Sequence, residues 1–229
     1  MKRYIVKYID RLSDLSLNWS GSYWDNILTA AVDHFHPRGS SHKPVTRAKI
    51  CYDLNGINLI FKVDDKYIKA THAKYNSKVN EDSCVEWFIR PSEALGYYNF
   101  ELNAGGCLHV NYIVDPERDK NGKRKDIRPI PENHANQIKI ISSLPTIIDP
   151  EIKKTLTWYL AINIPFSFFD IFTPIDQILN SEWRGNLYKC GDKTSHPHWA
   201  SWSPVTQLNF HCPDEFGIFE FEEWEKRKG

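Results

Sequence analysis

An excess of charge of either sign is missing from this sequence: 29 Lys and Arg stand against 29 Asp and Glu in 229 residues. A surface that tracks phosphates carries a basic excess, so no nucleic-acid partner is expected. Long apolar runs are missing as well. No stretch approaches the ~18 residues that a membrane span requires. The amino end, MKRYIVKYIDRLSDL, is broken by Lys7, Asp10 and Arg11 where a signal peptide would hold its apolar segment. The expectation is a cytoplasmic protein with no membrane partner, or a secreted one if a leader precedes this sequence. Cysteine is sparse: Cys51, Cys84, Cys107, Cys190 and Cys212 form no CxxC and are odd in number. That pattern suits free, buried thiols better than a disulfide framework. Neither GxxxxGK[ST], GxGxxG nor GxSxG occurs. Phosphate-loop, dinucleotide and nucleophile-elbow chemistry are therefore excluded, and no cofactor is expected.

Aromatic rings are abundant, with 8 Trp, 11 Tyr and 12 Phe making up 14% of the chain. Such rings fill cores, and they also stack on sugars and bases. Their setting is a period of two, the signature of half-buried strands. From Arg47 to Leu54, Ala48, Ile50, Tyr52 and Leu54 share a face; from Ile57 to Asp64, Ile57, Leu59, Phe61 and Val63 do. Asn55-Gly56 between them predicts a hairpin closed by a type I′ turn. Further strands are expected at Cys84–Arg90, Tyr97–Asn103, Cys107–Ile113, Gln137–Ile141, Leu156–Ile164, Gly185–Cys190, Trp199–Ser203 and Gly217–Glu222. Only Ser22–Phe35 and Phe166–Phe172 offer short helical turns. Many strands without crossover helices imply an all-β fold, a single antiparallel sandwich or barrel. Residues 1–229 read as one domain, with 1–46 as an N-terminal extension of it. The stretch from Asp115 to Arg128 interleaves acids and bases and reads as a solvated loop.

Two groups of residues carry chemistry. In Cys84–Arg90, alternation sets Val85, Trp87 and Ile89 on one face and Glu86 on the other, between Cys84 and Phe88. An acid on an otherwise apolar face is solvated, paired or used. A carboxylate beside rings suits recognition of vicinal hydroxyls; an ion pair with a basic neighbour such as Arg184 is the alternative. In the carboxyl third, Trp183, Arg184, Asn186, Tyr188, His196, His198, Trp199 and Trp202 crowd together with turn residues between them. Rigid amphipathic side chains of this kind fit a neutral polar ligand, although each Trp taken singly also suits the core. His196-Pro197-His198 with Cys190 lacks further ligands at zinc-like spacing, so no metal site is expected. Asp82, Glu86 and Glu101 supply acids for a glycosidase pair, whose separation the sequence does not give.

The blocks AKICYDLNGINLIFKVDD, EDSCVEWFI, YYNFELNAGG, LTWYLAINIPFSFF, WRGNLYKCGD, HPHWASWSPV and CPDEFGIFEFE, taken in order from about Arg47 onward, resemble carbohydrate-binding module family 9. The likeness is to its stand-alone, family 9-like members. The resemblance implies a β-sandwich that binds a mono- or oligosaccharide without catalytic machinery, in carbohydrate catabolism. It places the family's glutamate on Glu86. It leaves Val79 or Asn80 where the first of two stacking Trp rings stands, Phe210 for the second, and Glu101 for an arginine. Trp199 or Trp202 would supply the missing ring. The expected carbohydrate-binding residues are thus Glu86, Arg184, Asn186, Tyr188, Trp199, Trp202 and Phe210. Two other functions stay open: a glycoside hydrolase using Glu86, and a β-sandwich that engages a protein through its aromatic face.

Overall fold

A computed structural model describes residues 1–10, 14–92, 94–173 and 182–222. The alternating sequence forms strands β1 (Arg3–Tyr8), β2 (Ala30–Val32), β3 (His34–Phe35), β4 (Val45–Tyr52), β5 (Gly56–Asp65), β6 (Ile68–Ala70), β7 (Cys84–Arg90) and β8 (Tyr97–Asn103). They are followed by β9 (Leu108–Arg118), β10 (Arg124–Pro129), β11 (Lys139–Ser142), β12 (Ile148–Ile152), β13 (Leu156–Pro165), β14 (Glu182–Cys190), β15 (Trp199–Ser201) and β16 (Gly217–Phe221). One layer runs β10-β9-β8-β7-β14-β16-β1, with β15 continuing the edge of β14 beyond β16 and β3 beside β15. The other runs β1-β4-β5-β13-β11, with β2 along β4, while β6 and β12 pair separately.

Strand β1 belongs to both layers: Arg3–Val6 lie beside β16 and Lys7–Tyr8 beside β4. Both pairings are parallel, so the sheets are mixed and the expected antiparallel sandwich is corrected at this joint. Alternation tells which residues point inward but not which way a neighbouring strand runs. The amino-terminal segment, read as an extension, thus contributes the strand shared by both layers, with Tyr4 and Val6 buried.

The core lies between the layers. Val85, Trp87 and Ile89 of β7 and Tyr98, Phe100 and Leu102 of β8 meet Leu59, Phe61 and Val63 of β5 and Trp158, Leu160 and Ile162 of β13 in one buried cluster. Each large apolar side chain buried there contributes roughly 1.5–3 kcal/mol of transfer free energy. The outer face of the second layer is also covered, since Trp24 and Ile27 pack on Cys51, Ile60 and Ala161. That leaves the outer face of the first layer to carry function.

Three local expectations change. The β4–β5 hairpin forms in the expected register, Tyr52 opposite Ile57, but its turn is not type I′, because neither Asn55 nor Gly56 has positive φ. Instead Asp53 Oδ1 accepts hydrogen bonds from the Asn55 and Gly56 amides at 2.7 and 3.1 Å, an Asx turn. Glycine is needed at Gly56 for closeness: a Cβ would stand 2.3 Å from the Ile164 carbonyl oxygen. The charged stretch from Asp115 to Arg128 forms most of the β9–β10 hairpin, whose backbone pairs while most of its interleaved charges reach water and Arg124 turns partly inward. Ser22–Phe35 holds only a four-residue 3₁₀ turn, Tyr23–Asn26, before β2 and β3; the other expected turn forms over Phe166–Ile171.

Candidate functional site: a polar cleft on the first layer

The alternation that buries Trp87 and Phe100 turns the intervening residues outward. Strand register then builds rows across four strands. Tyr188 of β14, Glu86 of β7, Glu101 of β8 and His109 of β9 stand side by side. In the next row Phe88, Asn99 and Asn111 do the same, and on the far side Cys190 faces Cys84. The segment before β16 folds over this face. Phe210 stacks on Tyr188 with centroids 4.0 Å apart and planes at 11°, and the Tyr188 hydroxyl donates to the Phe210 carbonyl at 2.9 Å. Tyr97 Oη lies 2.7 Å from His211 Nδ1.

Between face and flap lies a cleft of about 770 Å³, within the range of small-ligand pockets, roughly 300–1,000 Å³. One wall is the turn Val79–Glu81 together with Asp192 and Trp199. Asp192 holds it by accepting from Trp199 Nε1 at 2.7 Å and from Asn80 Nδ2 at 2.8 Å. Opposite stand Arg118, Arg124 and Ile127 of the β9–β10 hairpin, with Phe210 and His211 alongside.

The floor is polar, buried and short of compensating charge. Glu86 and Glu101 are only 2% and 8% exposed, and among the described residues neither has a lysine or arginine within 4.0 Å. Burial, then the neighbouring Cys190 and Glu101, holds the Glu86 carboxyl well above the usual range. Burial raises Glu101 too, opposed by His109 and by the hydrogen bond from Asn99 Nδ2 at 2.8 Å. A carboxyl that keeps its proton donates as well as accepts. Asn99 is oriented by its carbonyl, which accepts from the Asn111 amide at 2.9 Å. Among the described residues, Arg124 Nε is buried with no hydrogen-bond partner. Burial, reinforced by the charges of Arg124 and Arg118, keeps His211 neutral. The arrangement offers donors and acceptors on a floor, rings on the sides, and one free guanidinium edge.

Of the residues expected from sequence, Glu86, Trp199 and Phe210 come together here. Tyr188 lies underneath as the platform for Phe210. The other three lie elsewhere. Trp202 is buried against Phe219, at 5.1 Å between centroids, and against Tyr4. Asn186 is fully buried and spent on the backbone: its Oδ1 accepts from Ser203 N at 2.8 Å and its Nδ2 donates to Ser203 O at 2.9 Å. Arg184 is exposed at the start of β14, opposite Arg90 and Ile218 rather than paired with Glu86. Arg184, Asn186 and Tyr188 share the outward face of β14; the sequence does not tell that Ser203 covers Asn186 or that Arg184 lies at the strand's far end from the cleft.

Sequence reasoning passed over Asn99, His109, Asn111, Arg118, Arg124, Asp192 and His211. The signal for Asn99 was present, since Tyr97–Asn103 alternates Asn99, Glu101 and Asn103 with Tyr98, Phe100 and Leu102. A strand whose second face is polar beyond its first residue, Tyr97, is soaked or bound. His198 is not beside Cys190 in the cleft. Its Nε2 lies 2.8 Å from Lys189 Nζ and its Nδ1 donates to His196 O at 2.9 Å, so both ring nitrogens are committed. Lys189 in turn stands 3.7 Å from Asp65, which His42 Nε2 approaches at 2.8 Å.

The profile of carbohydrate-binding family 9 matches residues 23–221. A solved protein of Bacteroides uniformis assigned to carbohydrate binding is 30% identical, covering 96% of this chain and 99% of its own, with a TM-score of 0.83. A family 9 carbohydrate-binding module of Caldicellulosiruptor kristjanssonii, solved in complex with glucose, superposes with a TM-score of 0.62 at 12% identity, over 98% of each chain. The same score and identity hold for a Caldicellulosiruptor kristjanssonii family 9 module in complex with cellotriose, covering 100% of this chain and 97% of that one. At that identity the likeness is one of fold. No curated protein matches the sequence.

Proposed function

Because the chain belongs to carbohydrate-binding family 9, we propose that its cleft holds a mono- or oligosaccharide without transforming it. The observation that carries this reading is the row Tyr188–Glu86–Glu101–His109 lying under Phe210 and beside Trp199. Sugar needs both components: hydroxyls seek closely spaced polar groups, and the C–H face of the ring seeks an aromatic surface. Net gain per hydroxyl is small, since each gives up a bond to water, so affinity is modest. The glucose and cellotriose bound by the Caldicellulosiruptor modules make glucose and β-glucan fragments the first ligands to try. Hydrolysis is disfavoured because the family is one of carbohydrate-binding modules without catalysis. A concave polar cleft is likewise unlike the flat apolar patch that engages a protein.

Titration calorimetry with a saccharide panel tests the reading. Phe210→Ala and Glu101→Gln should each weaken the best ligand by about tenfold, ~1.4 kcal/mol, while Arg184→Ala leaves it unchanged. Absence of binding across the panel at millimolar concentration sinks the proposal, and so does hydrolysis of the ligand by wild type that Glu86→Gln abolishes.

A further inference from the structure

We propose that Cys84, Glu86 and Cys190 form a site for one thiophilic divalent cation, zinc being the best fit, whose fourth position opens into the cleft. The antiparallel register of β7 and β14 sets Cys84 directly opposite Cys190, and alternation brings Glu86 to the same face two residues along β7. The two sulfurs and the carboxylate oxygen lie within 4.8 Å of one another, and Cys190 Sγ stands 3.0 Å from Glu86 Oε1. A tetrahedral zinc, with bonds of about 2.3 Å to sulfur and 2.0–2.2 Å to oxygen, separates its ligand atoms by roughly 3.5–3.8 Å. Small side-chain rotations bring these three atoms to that spacing.

Donor type and surroundings agree with the geometry. Two thiolates with one carboxylate select zinc, cobalt or cadmium over calcium and magnesium, which want oxygen alone. All three residues are buried, at 0%, 2% and 1% exposure in chain order. Glu101 and Asp192 add acidic groups on the same cleft surface, and among the described residues no lysine or arginine lies within 4.0 Å of Glu86. Glu86 is buried with no basic group at ion-pair distance among the described residues, and a cation bound beside it supplies the missing charge. Binding is a plain exchange: each thiol and the carboxyl give a proton to solvent as the metal bond forms, and nothing is oxidised or reduced. Glu86 and Cys190 line the cleft, so three protein ligands leave one coordination position for water or for an oxygen of whatever fills it, as in exchangeable zinc sites. Sequence spacing hid the trio, because its cysteines sit on strands far apart in the chain.

The test needs no saccharide, so its failure is separate from failure of the saccharide reading. Full-length protein, stripped of metal by a chelator and kept reduced with a phosphine, is titrated anaerobically with Co²⁺. The expected result is a near-ultraviolet sulfur-to-cobalt charge-transfer band with tetrahedral visible bands, saturating at one equivalent and bleached by Zn²⁺. Cys84→Ser and Cys190→Ser should lose the band, and Cys212→Ser, outside the trio, should keep it. Should the serine variants fail to fold, the isosteric Glu86→Gln decides, with Co²⁺ affinity expected to fall by about tenfold or more. The proposal is overturned if wild type shows no band in excess Co²⁺, or if the folded Cys190→Ser or Glu86→Gln protein keeps wild-type affinity.

Discussion

Trp199 and Trp202 stand three residues apart and do different work. Trp199 is half-buried at the cleft wall, its indole N–H fixed on Asp192, so its ring presents a surface to a ligand. Trp202 is 4% exposed and wedged against Phe219. Trp202→Ala should cost about 3–5 kcal/mol of stability through the cavity it leaves, read as a lower denaturation midpoint. Trp199→Ala should chiefly weaken ligand and leave the midpoint near wild type. Equal loss of stability in both would refute the division. At this scale the sequence is informative where alternation applies, since it sets Glu86 on the face opposite Val85 and Trp87 as the strand register does, whereas Phe210 is singled out by the family likeness alone. It is blind where tertiary contacts decide. Asn186 and Trp202 look like ligand-binding types, and only the return of Ser203 to β14 and of Phe219 to the core shows them spent.

At the scale of elements, β14 joins the two faces of its layer. Its outward residues, Tyr188 and Cys190, serve the cleft, while Lys189 points inward to Asp65 of β5 and to His198. Burial, then the charge of Lys189, lowers His198 from 6.5 to about 3. Burial alone would raise Asp65, but Lys189 and the His42 hydrogen bond outweigh it and hold Asp65 at about 2. The signs agree. The unfolded chain binds a proton at His198 below its ordinary 6.5, so this stabilisation is complete above that pH and is lost as pH falls toward 3. The contribution of Asp65 is present above its ordinary 3.8 and fades toward 2. The raised carboxyls of the cleft act in the opposite sense above their ordinary range, so the imidazole itself is the proper probe. Nitrogen-15 NMR at pH 5 should find His198 neutral with its proton on Nδ1, and a doubly protonated ring would contradict the network. A second element-level expectation concerns β16. A Cβ on Gly217 would lie 2.4 Å from Trp202 Cζ3 and 2.9 Å from the Lys2 carbonyl. Gly217→Ala should therefore cost about 1–3 kcal/mol, visible as a lower urea midpoint with an unchanged slope; a neutral substitution would mean that Trp202 swings freely.

For the molecule as a whole, two layers share one strand, and the outer face of the first is covered only in part, by the segment before β16. The strands of this plan were largely legible, because a half-buried strand writes its burial into every second residue. Direction and closure were not, and β1 shows why. Tyr4 and Val6 alternate as any strand would, but parallel pairing with both β16 and β4 depends on chain ends that meet only after folding. The cleft was hidden for a related reason. Its floor comes from four strands in register, its flap from the segment before β16, and its cationic wall from a hairpin whose charges read as solvated loop. The central claim is that this composite cleft, and no other surface, receives carbohydrate. A crystal structure of the protein soaked with the tightest-binding saccharide of the panel tests that claim most directly. The expected density shows a sugar ring against Phe210 and Trp199, with hydroxyls within hydrogen-bonding distance of Glu86, Asn99 and Glu101. An ordered saccharide on any other face, with the cleft holding only water at saturating ligand, would contradict it.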